Sequence, residues 1–115
     1  MSTNRIDKIN SLLERELSKI IQRDVSFFND VLVTLTYVKA SANLIEAKVY
    51  ISVFPEERSK DVLEILKKEV YGIQQKINRK LNMRPIPKII FVIDKKEAEA
   101  GKIEELLGSL KKEEK

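Results

Sequence analysis

The sequence predicts an α+β fold in the order α-β-β-α-β, followed by a short C-terminal helix. Three observations predict it. Residues 3–23 and about 60–81 place apolar side chains three or four apart, the period of one helical face. Residues 44–54 alternate apolar and polar, the period of a strand with one buried and one wet face. No repeat, Gly-rich linker or change of composition divides the chain. Its 115 residues therefore fit a single domain, residues 1–115, large enough to form a core without staples.

Each element has its own signal. In the first helix Ile6, Ile9, Leu12, Leu13, Leu17, Ile20 and Ile21 share a face, and Ser2 or Thr3 can cap the start. Residues 24–30 break that period and form a connection in which Phe27 and Phe28 are expected to plug the core. Residues 31–39 are β-branched and aromatic, which predicts a strand. A short turn at 40–43 leads to strand 44–54, so an antiparallel hairpin is the natural pairing. Residues 55–58 form a polar loop and Ser59 is the expected N-cap of the second helix. Pro85 and Pro87 stop that helix and extend the backbone. The near-continuous apolar run 88–94 predicts a third, well-covered strand. Ile103, Leu106, Leu107 and Leu110 mark the closing helix, and 111–115 a frayed charged tail. The expected core includes Leu13, Leu17, Ile45, Val49, Ile51, Leu66, Ile77 and Phe91.

The charge is unevenly placed. The chain carries 22 basic and 18 acidic side chains. Residues 70–93 hold Lys76, Arg79, Lys80, Arg84 and Lys88 and no acid, which accounts for the whole net charge of +4. A single block of excess positive charge across a helix end marks a docking face for a polyanion. Lys76, Arg79 and Lys80 are spaced i, i+3, i+4 and share one side of the helix. With no acid in the window to pair with, that side is expected to face solvent. Arg79 and Arg84 suit bidentate phosphate contacts. Arg5, Lys8 and Arg15 on the first helix form a second candidate face. Tyr50 and Tyr71 are open as base-stacking side chains.

Gly72 interrupts the second helix, where Gly costs about 1 kcal/mol relative to Ala. Either a close helix contact requires it, or it permits a bend at Val70-Tyr71-Gly72.

Several functions are disfavoured. There is no His and no Cys, so the commonest base and the strongest nucleophile are missing, as are disulfides and thiol ligands. Three Gly cannot build a phosphate-cradling loop. Glu56-Glu57, Glu104-Glu105 and Glu113-Glu114 read as solvated surface. The chain is not expected to be an enzyme, and no cofactor, metal or small-molecule substrate is expected. MSTNRIDKIN lacks the apolar centre of a signal peptide, and no window is apolar enough to span a membrane. A cytoplasmic monomer is expected.

Four runs resemble the ribosome-binding factor A family. They are Arg5…Ile9…Leu12-Leu13…Glu16-Leu17…Ile20; Val33-Thr34-Leu35-Thr36-Tyr37-Val38 with Ser41, Leu44 and Ala47 to Val53; Gly72-Ile73 through Leu81, Arg84 and Pro87 to Phe91-Val92-Ile93-Asp94; and Ile103 to Leu107. The resemblance implies a type II KH domain whose usual GxxG loop is replaced by an Ala-x-Gly kink in the second helix. That motif falls on Val70-Tyr71-Gly72, where the Gly is kept and the Ala is not. Asn43 stands where the family usually has Asp, and Lys96 where it often has Ser. The resemblance also implies binding to the small (30S) ribosomal subunit and its 16S rRNA, in late subunit maturation and rRNA processing. The alternative is a protein-interaction module whose basic face docks an acidic partner.

Overall fold

The computed structural model describes residues 5–83 and 86–95. The expected caps Ser2 and Thr3, the closing helix, the tail and Arg84 lie outside these residues. Helix α1 spans Arg5–Asp24, strand β1 Leu32–Ala40 and strand β2 Glu46–Phe54. A 3₁₀ turn, Glu56–Arg58, leads directly into helix α2, Ser59–Lys80, and strand β3 spans Lys88–Ile93. The sheet order is β1-β2-β3, with β1 antiparallel and β3 parallel to β2. A parallel pair requires a crossover, and α2 supplies it.

Both helices lie on one face of the sheet, α1 against β1 and α2 against β3. The buried layer is built from Leu13, Leu17 and Ile20 of α1, Val62, Leu66 and Ile77 of α2, and Val49 and Ile51 of β2. Phe91 closes it from β3. The expected core is therefore correct except at Ile45, which is 68% exposed. Ile45 has the right phase, but the strand starts one residue later and Ile45 ends the turn, beyond the cover of the helices. There its N–H donates to Asn43 Oδ1, which also accepts the Ser41 hydroxyl. Leu44 holds a φ of 60° to make this corner, a conformation that is rare and strained for a branched side chain.

Three other expectations are corrected. Phe28 does not plug the core: it is exposed and lies under the Arg58 guanidinium, 4.2 Å from the ring centroid, while Phe27 is partly buried against the core. Arg58 also pairs with Asp30 and Asp61, so it pins the 25–31 connection from outside. Ser59 is the first residue of α2 rather than its cap, because the 3₁₀ turn already supplies the preceding bend. Among the described residues strand β3 is covered by helices on one face only. Ile89 and Phe91 are buried beneath the helices, whereas Ile90 and Val92 alternate onto the helix-free face.

Two side chains close the sheet edges. The Ala40 N–H donates to Asn10 Oδ1 of α1 at 2.8 Å. The Ile89 N–H donates to Gln74 Oε1 of α2 at 2.8 Å. Edge strands leave such donors without a ladder partner, and here each helix provides one. A bulge between Leu35 and Tyr37 turns Thr36 toward the end of β3, where its hydroxyl lies 2.8 Å from Asp94 Oδ2.

Helix α2 is continuous through Gly72, which is exposed and has no positive φ. A Cβ built there would meet nothing within 4 Å. Close packing therefore does not explain the glycine.

Candidate nucleic-acid interface

The last turns of α2 face two ways. Ile73, Ile77 and Leu81 point into the core. Lys76 and Lys80, four apart, flank them on the side toward α1. Arg79 is one step further round, exposed, and in no ion pair among the described residues. Its charge, with that of Lys80, sits favourably at the negative end of the helix dipole.

Lys76 and Lys80 are not free, contrary to the expectation drawn from the acid-free window. The Lys76 Nζ lies 3.0 Å from Asp24 Oδ2, and the Lys80 Nζ 3.2 Å from Glu16 Oε2. Both acids come from α1, and each also takes an arginine of its own helix. Arg23 donates to Asp24 at 3.2 and 3.3 Å, and the Arg15 Nε lies 3.8 Å from Glu16 Oε1. The seam between the helices thus carries two clusters of one pattern, Arg15–Glu16–Lys80 and Arg23–Asp24–Lys76. Each has two cations around one carboxylate and keeps a net positive charge. Glu16 is buried, whereas the two arginine side chains are mostly exposed and the two lysine side chains about half exposed. The clusters therefore hold the helices together and still present positive charge outward.

The electrostatics follow from this geometry. The Lys80 ammonium beside Glu16 holds its carboxyl below the ordinary value, against the opposing effect of burial. At 3.2 Å this contact is a close ion pair. Arg23, then Lys76, lowers Asp24 in the same way, and Asp24 raises Arg23.

The structure joins the two faces that the sequence holds as alternatives. Arg15 of α1 and Lys80 of α2 meet at the same carboxylate, and Lys8 and Arg5 continue the surface along α1 as exposed side chains. Lys88 is not part of it. It opens β3 opposite in phase to the buried Ile89 and Phe91, so it faces the helix-free side of the sheet. Arg84 lies outside the described residues. The tethering role of Glu16 and Asp24 is missed by charge counting along the chain. Its signal is Glu16 itself, an acid placed among Leu13, Leu17 and Ile20 at the margin of an apolar helix face.

Tyr71 is exposed on α2, whereas Tyr50 stacks on Tyr37 on the helix-free face of the sheet. Among the described residues no group of three or more acids, His or Cys is placed to hold a metal ion. No described helix is long and apolar enough to cross a membrane.

The α-β-β-α-β order, the mixed three-stranded sheet and two helices on one face define a KH-like domain. Comparison with known proteins narrows this class. A profile described as Ribosome-binding factor A matches residues 5–107. The ribosome-binding factor A of Protochlamydia amoebophila is 37% identical over 115 residues, covering 98% of this chain and 88% of that protein. The crystal structure of ribosome-binding factor A from Thermus thermophilus superposes with a TM-score of 0.66 at 22% identity, over 76% of this chain and 93% of that one. Coordinates of the Thermus thermophilus factor, as fitted into a cryo-electron microscopy map of a 30S complex, superpose with a TM-score of 0.63 at 23% identity, over 74% and 90%. The chain belongs to the ribosome-binding factor A family.

Proposed function

We propose that this chain binds the small (30S) ribosomal subunit through its 16S rRNA and assists late subunit maturation and rRNA processing, without catalysing a reaction. It acts in the cytoplasm as a monomer. The observation that carries this reading is the continuous basic surface along the α1–α2 seam. There Arg15, Arg23, Lys76 and Lys80 surround only two carboxylates and Arg79 stands free beside them. RNA offers a dense line of phosphates, and released counterions drive its association with such a surface. Family membership supports the same partner, since a relative was fitted into a 30S complex. Arg84, outside the described residues, is included in this reading from its place in the basic stretch of sequence alone. In this reading α2 bends at Val70-Tyr71-Gly72, and the bend sets the direction of its basic last turns.

Sedimentation of the chain with purified small subunits tests the proposal. Binding should fall roughly tenfold to a hundredfold between about 50 and 200 mM salt. Arg79→Glu combined with Lys8→Glu should weaken it more than about tenfold and lower the melting temperature by only a few degrees, because neither side chain is in an ion pair among the described residues and the main cost is the lost favourable charge at the end of α2. Lys80 is unsuitable for reversal, since a second carboxylate beside buried Glu16 would damage the fold. Normal binding by the double variant would place the RNA surface elsewhere. Displacement by an acidic polypeptide as effective as displacement by RNA would favour the protein-docking alternative.

A further inference from the structure

The helix-free face of the sheet has a graded surface that the basic seam does not explain. Strand register sets its rows. Lys39 of β1 stands directly opposite Lys48 of β2, and Ile90 of β3 lies on the other side of Lys48. The next row is Tyr37, Tyr50 and Val92, with the two tyrosine rings stacked at 4.2 Å and 10°. Lys88 closes the corner, opposite Glu46.

Two lysines directly opposite each other on one sheet face repel and destabilise the pairing. Neither Lys39 nor Lys48 is in an ion pair among the described residues, and both are exposed. The nearby acid, Glu46, has Lys88 as its own cross-strand neighbour. A shallow cavity of about 170 Å³ lies at this spot, lined by Lys39, Ala40, Ser41, Glu46, Lys48 and Tyr50. At about 30 Å³ per water it has room for a phosphodiester group. Beside it, Tyr50 presents an aromatic side chain next to Ile90 and Val92, an apolar floor on which a base can lie.

We infer that this face is a second nucleic-acid site, on the side of the sheet away from the helices. It takes single-stranded RNA, with a backbone phosphate between Lys39 and Lys48 and an adjoining base against Tyr50. Aromatic platforms flanked by cations bind single strands in this way with little regard to sequence. The cross-strand lysine repulsion is tolerated in the free protein and relieved by the bound anion. The inference rests on the reading that the chain is an RNA binder, and it gives the domain two faces for one RNA or for two neighbouring strands.

The test uses the full chain and a fluorescein-labelled oligouridylate, read by anisotropy, alongside sedimentation with small subunits. Lys39→Gln with Lys48→Gln should weaken oligouridylate binding about tenfold and reduce the salt slope by about 0.7, the value for one lost single-strand phosphate. Tyr50→Leu should weaken it about tenfold with an unchanged slope. Lys48→Glu, which turns the repulsive pair into an attractive one, should weaken binding yet raise the melting temperature, so loss of fold cannot explain the loss of binding. If all three variants bind like the unmodified chain while the Arg79→Glu and Lys8→Glu variant is weakened, the second site is overturned and the seam reading stands. If the unmodified chain binds neither oligouridylate nor subunits, both readings fall. If polyglutamate binds the unmodified chain as tightly as oligouridylate and loses this binding in the Lys39→Gln, Lys48→Gln variant, the face takes acidic protein and the RNA assignment is overturned.

Discussion

Gln74 uses both ends of its side-chain amide. Its carbonyl oxygen accepts the Ile89 N–H at 2.8 Å, and its nitrogen donates to the Pro87 carbonyl at 3.2 Å and to Asn78 at 3.1 Å. It thus ties α2 to the first residues of β3, immediately after the proline-rich connection. Gln74→Ala removes these bonds and leaves a partly buried edge donor unsatisfied. Such a group costs about 1 to 3 kcal/mol. Urea denaturation of the variant should show a loss in that range, and a loss below about 0.5 kcal/mol would mean that water replaces the amide fully. Nothing in the local sequence marks Gln74, since a polar residue on the flank of an amphipathic helix reads as solvated surface. Asn10 is equally unremarkable in sequence and equally placed at the opposite edge.

Helix α2 carries the clearest element-scale question. Gly72 weakens a 22-residue helix, and nothing packs close enough to require it. With no steric reason for the glycine, the proposed bend remains the role to test. Gly72→Ala should stabilise the chain by up to about 1 kcal/mol through helix propensity alone. If the bend directs the basic last turns toward RNA, the same variant should bind small subunits more weakly despite its higher melting temperature. A variant that is more stable and binds normally would remove the bend from the mechanism. The strands show where element-scale reading works and where it stops. Alternation in 44–54 correctly gave Val49 and Ile51 as core, but it could not show that the helices end short of Ile45. The continuous apolar run of β3 resembles a strand covered on both faces, although only Ile89 and Phe91 are beneath helices.

For the whole molecule the α1–α2 seam links charge to stability. Glu16 and Asp24 both have carboxyls held below their ordinary values, by Lys80 and by Arg23 with Lys76. The folded state therefore binds fewer protons than the unfolded state in the acid range, and stability rises with pH there. The contribution is complete above about pH 5 and is lost as the pH falls through the folded values. Melting temperatures measured from about pH 7 down to pH 3 should decline steeply on the acid side. The decline should be shallower in a variant with Glu16→Gln and Asp24→Asn, even though that variant is less stable at neutral pH. An unchanged acid slope would show that the seam clusters do not couple to folding.

The sequence alone sets the element order, the hydrophobic layer and the excess positive charge. These are properties of spacing and local composition, which survive any arrangement of the pieces. It also carried the family resemblance, because ordered motifs are read along the chain. Which cations are free depends instead on how the helices dock. Lys76 and Lys80 lack acids within their own window, yet they meet Glu16 and Asp24 some fifty to sixty residues earlier in the chain. The same packing merged the two candidate faces at Glu16 and sent Lys88 to the other side of the sheet, the face that also carries Lys39, Lys48 and the stacked tyrosines. Charge along a chain is a one-dimensional count, whereas ion pairing and burial depend on distances that arise only when the helices dock on the sheet.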